Sequence, residues 1–205
     1  MLIRSLLFYI LLGLWTIFMG VVCIPYLIIS KSYLRKPIKL WINILLKILR
    51  ITCGISYEII GLEKITKKTY IVASKHQSAF ETFILFFHIN NSIFIHKKQL
   101  FFIPIFGQYL KKINMISINR IKGPSAMRKV LKEAKLKINQ GYSIIIFPEG
   151  TRKKPNEKAD YKTGIAGIYA ETNVEILPVA VNSGYCWPKH TFIKSPGKIT
   201  IKILD

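Results

Sequence analysis

A stretch of 26 uncharged residues near the N-terminus limits what this chain can fold into. It runs from Ser5 to Ser30, between Arg4 and Lys31. An α-helix of about 20 apolar residues is long enough to cross a bilayer. A cleaved secretory signal has an apolar region of only ~7–15 residues followed by a small-residue cleavage site, and this stretch is too long and lacks such a site. The sequence therefore predicts an uncleaved membrane anchor with a transmembrane helix.

Basic residues are distributed unevenly about this stretch. Arg4 alone precedes it, and six basic residues follow it: Lys31, Arg35, Lys36, Lys39, Lys47 and Arg50. Lysine and arginine close to a membrane segment stay on the cytoplasmic side. We therefore expect the anchor to lie in the inner (cytoplasmic) membrane, with the rest of the chain facing the cytoplasm.

Residues 36–50 have the pattern of an amphipathic helix. Their polar residues fall on one narrow helical face, and nearly everything between them is apolar. Such a helix either packs on a folded domain with its basic edge in solvent or lies in the membrane interface, and the wide apolar arc favours the interface. Together with the first helix it could also form a hairpin that docks without fully crossing. We assign residues 1–53 to these anchor and interfacial helices, and residues 54–205 to a folded domain.

The net charge of the chain indicates what kind of partner it binds. The chain has 31 basic and 10 acidic residues, a net charge of +21, which favours an anionic partner such as nucleic acid or a membrane with its phosphorylated lipids. It contains no nucleic-acid-binding motif, so we expect no nucleic-acid partner.

Three cysteines without a C-x-x-C pair exclude a disulfide framework and a zinc ribbon. His88, His96 and His190 lack the spacing of metal ligands, and we expect no metal site.

Beyond Gly54, short β-rich runs alternate with helical patterns. Strands are predicted at residues 55–60, 70–74, 92–95, 115–118, 142–147, 176–181 and 199–203, and helices at 78–88, 125–140 and 164–171, with a loop at 153–163. Alternating strands and helices are typical of an α/β fold. The sequence therefore predicts a largely parallel central sheet flanked by helices.

His76 and Glu81 are the first candidate catalytic pair. His76 follows a buried strand at the start of a helix, and Glu81 lies five residues later. Imidazole exchanges protons near neutral pH, and a nearby carboxylate can hold it in the required tautomer. The alternative is structural, because Ser78-x-x-Glu81 is also a capping box that closes the start of a helix. The pair alone leaves both functions open.

A second motif follows the strand predicted at residues 142–147. It reads Phe147-Pro148-Glu149-Gly150-Thr151-Arg152, in which proline and glycine favour a tight turn and arginine suits bidentate binding of phosphate. Arg120 ends another strand-to-loop stretch, in a chain that otherwise prefers lysine. Each arginine could instead be an ordinary surface cation.

Taken together, these motifs resemble the glycerolipid acyltransferase family, specifically its bacterial lysophosphatidate (1-acylglycerol-3-phosphate) acyltransferases. Four family blocks occur in order over roughly residues 55–185. The segment 76–81 resembles the H-x4-D block, 114–120 the second block, 147–152 the F-P-E-G-T-R block and 176–181 the fourth, apolar block. Lys162-Thr163-Gly164 resembles the K-x-G stretch of the family. Three residues depart from the pattern: Glu81 replaces aspartate, Asn114 replaces glycine and Asn119 replaces an acid.

The resemblance implies a glycerol-3-phosphate acyltransferase-like fold and an enzyme of phospholipid biosynthesis. His76 would be the general base and Glu81 the acid that orients it, as the 2-hydroxyl of lysophosphatidate attacks an acyl thioester and phosphatidate forms. The implied substrate-binding residues are Arg120, Glu149, Gly150, Thr151, Arg152, Lys162 and Gly164. The implied partners are membrane lipids and acyl-CoA or acyl carrier protein (acyl-ACP) as co-substrate, with no other cofactor.

Two alternatives to this function stay open. The same chemistry could act on another lysolipid acceptor, because the four blocks do not distinguish acceptors. The chain could also be a non-catalytic basic module tethered to a membrane, although that would leave four ordered blocks unexplained.

Overall fold

The computed structural model of this chain describes residues 1–29, 31–119, 121 and 123–205. These residues contain the helices α1 (Leu2–Val22), α2 (Lys31–Cys53), α3 (Phe80–His88), α4 (Phe106–Lys112), α5 (Gly123–Asn139) and α6 (Gly164–Thr172). The strands are β1 (Ile55–Ile60), β2 (Ile71–Ser74), β3 (Ser92–Lys97), β4 (Ile116–Ile118), β5 (Ser143–Ile146), β6 (Ile176–Val181) and β7 (Gly197–Ile203). Short 3-10 helices lie at Ile24–Leu27, Leu62–Lys64, Lys98–Phe102 and Ser183–Tyr185.

The strands form a seven-stranded sheet in the order β1-β7-β6-β2-β5-β3-β4. Neighbouring strands in this order are parallel, except for β6 and β7, which are antiparallel. β2 lies between β5 and β6, and its Ile71 and Val72 are completely buried, as expected of a strand covered on both faces. The predicted α/β fold with a largely parallel sheet is confirmed.

Within residues 54–205 the predicted element boundaries agree with the observed ones to within two residues, whereas α2 extends beyond the predicted 36–50 at both ends. A further difference is α4, which the sequence pattern does not predict. This helix has only seven residues, begins two residues after Pro104 and lies in an apolar run without a clear helical period. Short helices of this kind depend on their surroundings more than on their own pattern.

α1 and α2 pack against each other as a helical hairpin. The Trp15 indole N–H donates to the Trp41 carbonyl oxygen (3.2 Å), and the Trp41 indole N–H donates to the Thr16 hydroxyl (3.2 Å). α1 ends at Val22, and a 3-10 helix that contains Pro25 follows, so the uncharged stretch is not one continuous helix. α1 and α2 therefore form a hairpin, and its docking on a membrane stays a prediction.

The apolar arc of α2 is part of the core. Leu34, Leu45 and Leu49 are at most 1% exposed, and the helix contacts α3 and β1. Lys47 and Arg50 on the opposite side are exposed. Of the two placements considered for residues 36–50, the structure has the one in which the helix packs on the domain with its basic edge in solvent. Burial of this arc against the sheet removes apolar surface from water.

The segment 183–194, which follows β6, attaches α1 to the domain. The Phe8 and Trp187 rings make an edge contact with centroids 5.4 Å apart. The Lys194 backbone N–H donates to the Ser5 hydroxyl (2.8 Å). The buried ammonium of Lys194 lies 4.9 Å from the centroid of the Tyr9 ring. Burial lowers the pKa of Lys194 to about 8. α1 therefore lies along the domain, held by polar and aromatic contacts.

The outer side of α1 is apolar and exposed. Its exposed large side chains include a set at helical spacing: Ile3, Leu6, Leu7, Ile10, Leu14, Ile17, Phe18 and Val21. Among the described helices, α1 has the length and composition of a membrane-crossing helix. The hairpin thus presents one face to the domain and an apolar face outward.

Candidate active site

The candidate active site lies at the carboxyl edge of the central strands. His76 follows β2 by two residues, Phe147 directly follows β5, and Ser183 follows β6 by two residues. β5, β2 and β6 are parallel neighbours. Their carboxyl ends therefore meet at one edge of the sheet, which is where ligands bind in open α/β folds.

The Glu81 carboxylate is completely buried in the site, at 0% exposure. Its Oε1 accepts hydrogen bonds from the backbone N–H groups of Gln77 (2.5 Å) and Ser78 (2.7 Å), and lies 3.1 Å from His76 Nδ1. Its Oε2 accepts a hydrogen bond from the Ser183 hydroxyl (2.7 Å). These partners replace the water that a buried carboxylate loses.

The contact with Glu81 determines which tautomer His76 adopts. A carboxylate only accepts hydrogen bonds, so His76 Nδ1 carries the proton and Nε2 holds the lone pair. The imidazole also stacks on the Phe147 ring, with centroids 3.8 Å apart and planes 14° from parallel. Nε2 has no hydrogen-bond partner among the described residues. A ring held in this way can accept a proton from a hydroxyl bound at Nε2.

Glu81 also serves the helix start, as the capping alternative requires. It accepts from the Ser78 backbone N–H, while the Ser78 hydroxyl accepts from the backbone N–H of Phe80 (3.1 Å). Only half of the predicted capping box forms among the described residues, because the Ser78 hydroxyl does not bond the Glu81 backbone N–H, and the N-cap residue, Ala79, has no side-chain cap. The structural and catalytic interpretations of Glu81 are therefore compatible, because one carboxylate makes both sets of contacts.

The segment 147–152 forms a tight turn against His76. The Gly150 backbone N–H donates to the Phe147 carbonyl oxygen (2.9 Å), and Gly150 has φ +67°, a conformation that glycine adopts at low cost. The Lys153 backbone N–H donates to the His76 carbonyl oxygen (2.7 Å). The turn is thereby fixed beside the His76–Glu81 pair.

Glu149 is buried within this turn and is only 2% exposed. No hydrogen bond of good geometry reaches its carboxylate oxygens from the described residues, although the His76 backbone N–H lies close enough to favour the ionised form. Burial raises the pKa of Glu149, while the nearby charge of Lys75 opposes that rise. A buried carboxylate without hydrogen-bond donors destabilises the fold. A ligand hydroxyl or N–H that donates to Glu149 would remove this cost, so the carboxylate is suited to bind such a group.

Arg152 and Thr151 bring a cation and a hydroxyl to the same turn. Arg152 is half-buried and has no ion-pair or hydrogen-bond partner in the described part of the chain. The Thr151 hydroxyl accepts from the Lys189 ammonium (3.1 Å), which adds a second positive charge from the segment 183–194. An unpaired guanidinium beside a lysine is suited to bind a phosphate.

Lys162 and Gly164 follow this turn in the chain, and neither makes a contact with the His76 imidazole among the described residues. The Lys162 backbone N–H donates to the Pro148 carbonyl oxygen (2.8 Å), while its exposed side chain pairs with Asp160. Gly164 begins α6, and a Cβ at this position would come within 3.1 Å of Met127 Cε. These two residues therefore support the turn and the packing of α6, and Lys162 also keeps an exposed ammonium.

The second block is described only in part, because Arg120 lies outside the described residues. Asn114 has φ +65°, in the left-handed region where glycine and asparagine are the residues best tolerated. This explains why asparagine can stand where the family pattern has glycine. Its side-chain amide also donates to the Tyr142 hydroxyl (3.2 Å).

Sequence analysis did not identify three residues that contact the site. Ser183 holds Oε2 of Glu81, the Gln77 side chain accepts from the Gly184 backbone N–H (3.0 Å), and Lys189 reaches Thr151. The parallel pairing of β2 with β6 would have indicated the region, since it brings residues after β6 next to those after β2. No local motif marks these residues.

Cys23, Cys53 and Cys186 are buried free thiols. Within the described residues, no group of three or more histidine, cysteine, aspartate or glutamate side chains is arranged to hold a metal ion.

Comparison with known proteins places the chain in a family. The acyltransferase family model matches residues 56–182. A 1-acyl-sn-glycerol-3-phosphate acyltransferase of Pseudomonas aeruginosa is 32% identical over 204 residues, which cover 98% of this chain and 79% of the relative. A protein of the same name from Limnanthes alba is 29% identical over 74% of this chain, but the matched part is only 54% of that relative.

A solved structure agrees with these sequence relatives. The crystal structure of the 1-acyl-sn-glycerophosphate (LPA) acyltransferase PlsC from Thermotoga maritima has a TM-score of 0.80 and 26% identity to this chain. The match covers all of this chain and 83% of the PlsC chain. It therefore includes the N-terminal hairpin as well as the sheet. By its sequence and its fold, the chain belongs to the acyltransferase family.

Proposed function

We propose that this chain transfers a fatty acyl group from an acyl thioester to the 2-hydroxyl of lysophosphatidate, giving phosphatidate. The observation that carries the proposal is the His76 imidazole, held by a buried carboxylate at Nδ1 and left free at Nε2. The names of the relatives from Pseudomonas aeruginosa and Thermotoga maritima support the choice of acceptor. The donor is acyl-CoA or acyl-ACP.

In the proposed mechanism His76 is the general base. Nε2 takes the proton of the acceptor hydroxyl as that oxygen attacks the thioester carbonyl carbon. The C–S bond then breaks, and the departing thiolate receives the proton from the imidazolium. Glu81 stabilises the imidazolium while it exists. No covalent enzyme intermediate is needed, and general-base catalysis of this kind contributes about 10²–10⁴-fold.

The turn at residues 147–152 binds the acceptor in this proposal. Arg152, together with Arg120 of the second block, binds the phosphate, and Lys189 adds positive charge through its contact with Thr151. Glu149 accepts a hydrogen bond from a glycerol hydroxyl, which would give its carboxylate a donor. Fixing the phosphate orients the 2-hydroxyl toward Nε2.

The enzyme docks on the cytoplasmic side of the inner membrane through α1. The exposed apolar side of α1 and the basic residues after it support this placement. Because α1 is held along the domain by the segment 183–194, we favour a hairpin that lies in one leaflet over a helix that crosses. The active site is then close to the layer that holds lysophosphatidate.

The function is tested by acyl transfer with purified full-length protein in mixed micelles. We expect labelled lysophosphatidate to be converted to phosphatidate with acyl-CoA or acyl-ACP. Lysophosphatidylcholine and lysophosphatidylethanolamine are the comparison acceptors and should react at least about tenfold more slowly, because their phosphodiesters offer the arginines one charge fewer. Equal rates with all acceptors would favour a general lysolipid acyltransferase.

Substitution of Glu81 separates its catalytic role from its capping role. Glu81→Gln keeps an acceptor for the backbone N–H groups but loses the charge that stabilises the imidazolium, so turnover should fall about 10²-fold or more. The free energy of unfolding should change by only about 1 kcal/mol. Turnover and thermal stability are measured on the same preparations.

Glu81→Asp is the matched control because it keeps the charge and restores the acid of the family pattern. It should retain a substantial part of wild-type turnover. Full activity in Glu81→Gln would mean that the carboxylate only caps the helix.

The burial of Glu149 predicts a pH-dependent stability. Its folded-state pKa is raised above the unfolded value, so it destabilises the fold only where it is ionised, and this penalty grows as pH rises from the unfolded pKa through the folded pKa. Glu149→Gln should therefore unfold at a higher denaturant concentration than wild type at pH 7. The difference should disappear below about pH 4, where both states of wild type are protonated.

The control for this variant is Glu171→Gln, which removes an exposed carboxylate paired with exposed Lys135. It should shift stability by no more than about 0.5 kcal/mol at either pH. A Glu149→Gln protein less stable than wild type at pH 7 would mean that the ionised carboxylate is satisfied in the native state.

A further inference from the structure

An apolar patch lies on the surface of the domain, outside the candidate active site. It is the segment 100–106, which runs from the end of the 3-10 helix after β3 to the first residue of α4. Its exposed side chains are Leu100, Phe102, Ile103, Ile105 and Phe106, and Phe102 is 73% exposed. Consecutive large apolar residues in water carry a free-energy cost and mark an interaction surface.

Backbone contacts give this patch a defined shape. The Gly107 backbone N–H donates to the Ile103 carbonyl oxygen (2.8 Å), and the Phe106 backbone N–H donates to the Pro104 carbonyl oxygen (2.6 Å). A Cβ at residue 107 would come within 2.1 Å of the Phe101 carbonyl oxygen, so glycine is required for the close approach. Ile105 has φ +64°, an unfavourable conformation for a β-branched residue. The apolar side chains are therefore displayed by a compact turn.

The patch is continuous with the C-terminal end of α1. The Tyr109 hydroxyl donates to the Gly20 carbonyl oxygen (2.7 Å). The Ile105 methyl carbon Cγ2 lies 3.8 Å from the position that a Cβ would occupy on Gly20. The exposed face of α1, including Phe18 and Val21, thus adjoins the exposed face of the segment 100–106.

The charges around the patch have one sign. The sequence contains no acidic residue between Glu81 and Glu133. Lysines flank the patch on both sides: Lys97 and Lys98 precede it, and Lys111 and Lys112 follow it. The Lys111 ammonium lies 5.6 Å from the centroid of the Phe101 ring, so positive charge lies beside the apolar turn. Apolar residues bordered by lysines are complementary to an anionic lipid surface.

We propose that the segment 100–106 is a second membrane-inserting element, with an anionic bilayer as its partner. Its apolar side chains enter the layer that α1 contacts, and the flanking lysines bind lipid phosphates. Two insertion points at one edge fix the rotation of the domain relative to the membrane, which one helix cannot do. This inference goes beyond acyl transfer, and it rests on membrane docking through α1.

A local probe of polarity tests this proposal with the full-length chain. Phe102→Cys is labelled with an environment-sensitive fluorophore, which the buried native cysteines should not take up. The matched control is Leu136→Cys on α5, where the native side chain is 52% exposed. Vesicles contain phosphatidylcholine with phosphatidylglycerol, with or without a spin-labelled lipid, and no acyl donor is present.

We expect the emission of the label at residue 102 to shift to shorter wavelength, and the spin-labelled lipid to reduce its intensity by at least about twofold. The emission of the label at residue 136 should show neither change. Omitting phosphatidylglycerol should reduce the response at residue 102. Equal, water-like signals from both labels on bound protein would overturn the proposal. Failure of the full-length chain to bind vesicles would overturn it as well.

A second variant tests whether the patch binds the bilayer or the acyl chain of a substrate. Phe102→Ser should weaken vesicle binding about tenfold, through lost apolar burial. It should leave acyl-chain preference in detergent micelles unchanged. Unchanged vesicle binding with altered chain preference would overturn the proposal in favour of an acyl-chain site. Because binding is measured without turnover, failure of the acyl-transfer assay would be a separate result.

Discussion

The hydrogen bonds to the buried Glu81 carboxylate hold the candidate site together. An ionised carboxylate without water is costly, and here backbone N–H groups of the turn after β2, the His76 imidazole and the Ser183 hydroxyl replace that water. The donors come from two segments that meet only because β2 and β6 are parallel neighbours. Sheet topology, helix capping and orientation of the proposed base therefore depend on one group.

The site contains a second buried carboxylate with the opposite surroundings. No hydrogen bond of good geometry reaches the Glu149 carboxylate from the described residues, and burial raises its pKa, whereas both Glu81 oxygens accept well-formed hydrogen bonds. In the proposed mechanism, Glu81 acts on the base and Glu149 acts on the substrate. Two buried carboxylates near one imidazole thus take different tasks because their surroundings differ, without a change of side chain.

Much of this organisation could be predicted from the sequence, and the remainder depends on long-range contacts. The strand pattern predicted the sheet, and the sequence 147–152 predicted the turn. The five-residue separation of His76 and Glu81 was enough to predict that they could be in contact. Ser183 and Lys189 carry no local signal, since their roles arise from residues about 100 and 40 positions away. The apolar arc of α2 favoured the membrane interface in the sequence, and only its packing shows that it covers the core.

The role of His76 as the base is the central claim, and single-turnover acyl transfer by His76→Ala with lysophosphatidate tests it most directly. Phosphatidate formation should fall at least about 10²-fold, because the variant keeps the phosphate-binding turn but lacks the group that accepts the hydroxyl proton. Thermal unfolding of the same sample checks that the fold persists. A folded His76→Ala protein that keeps more than about a tenth of wild-type turnover would contradict the account.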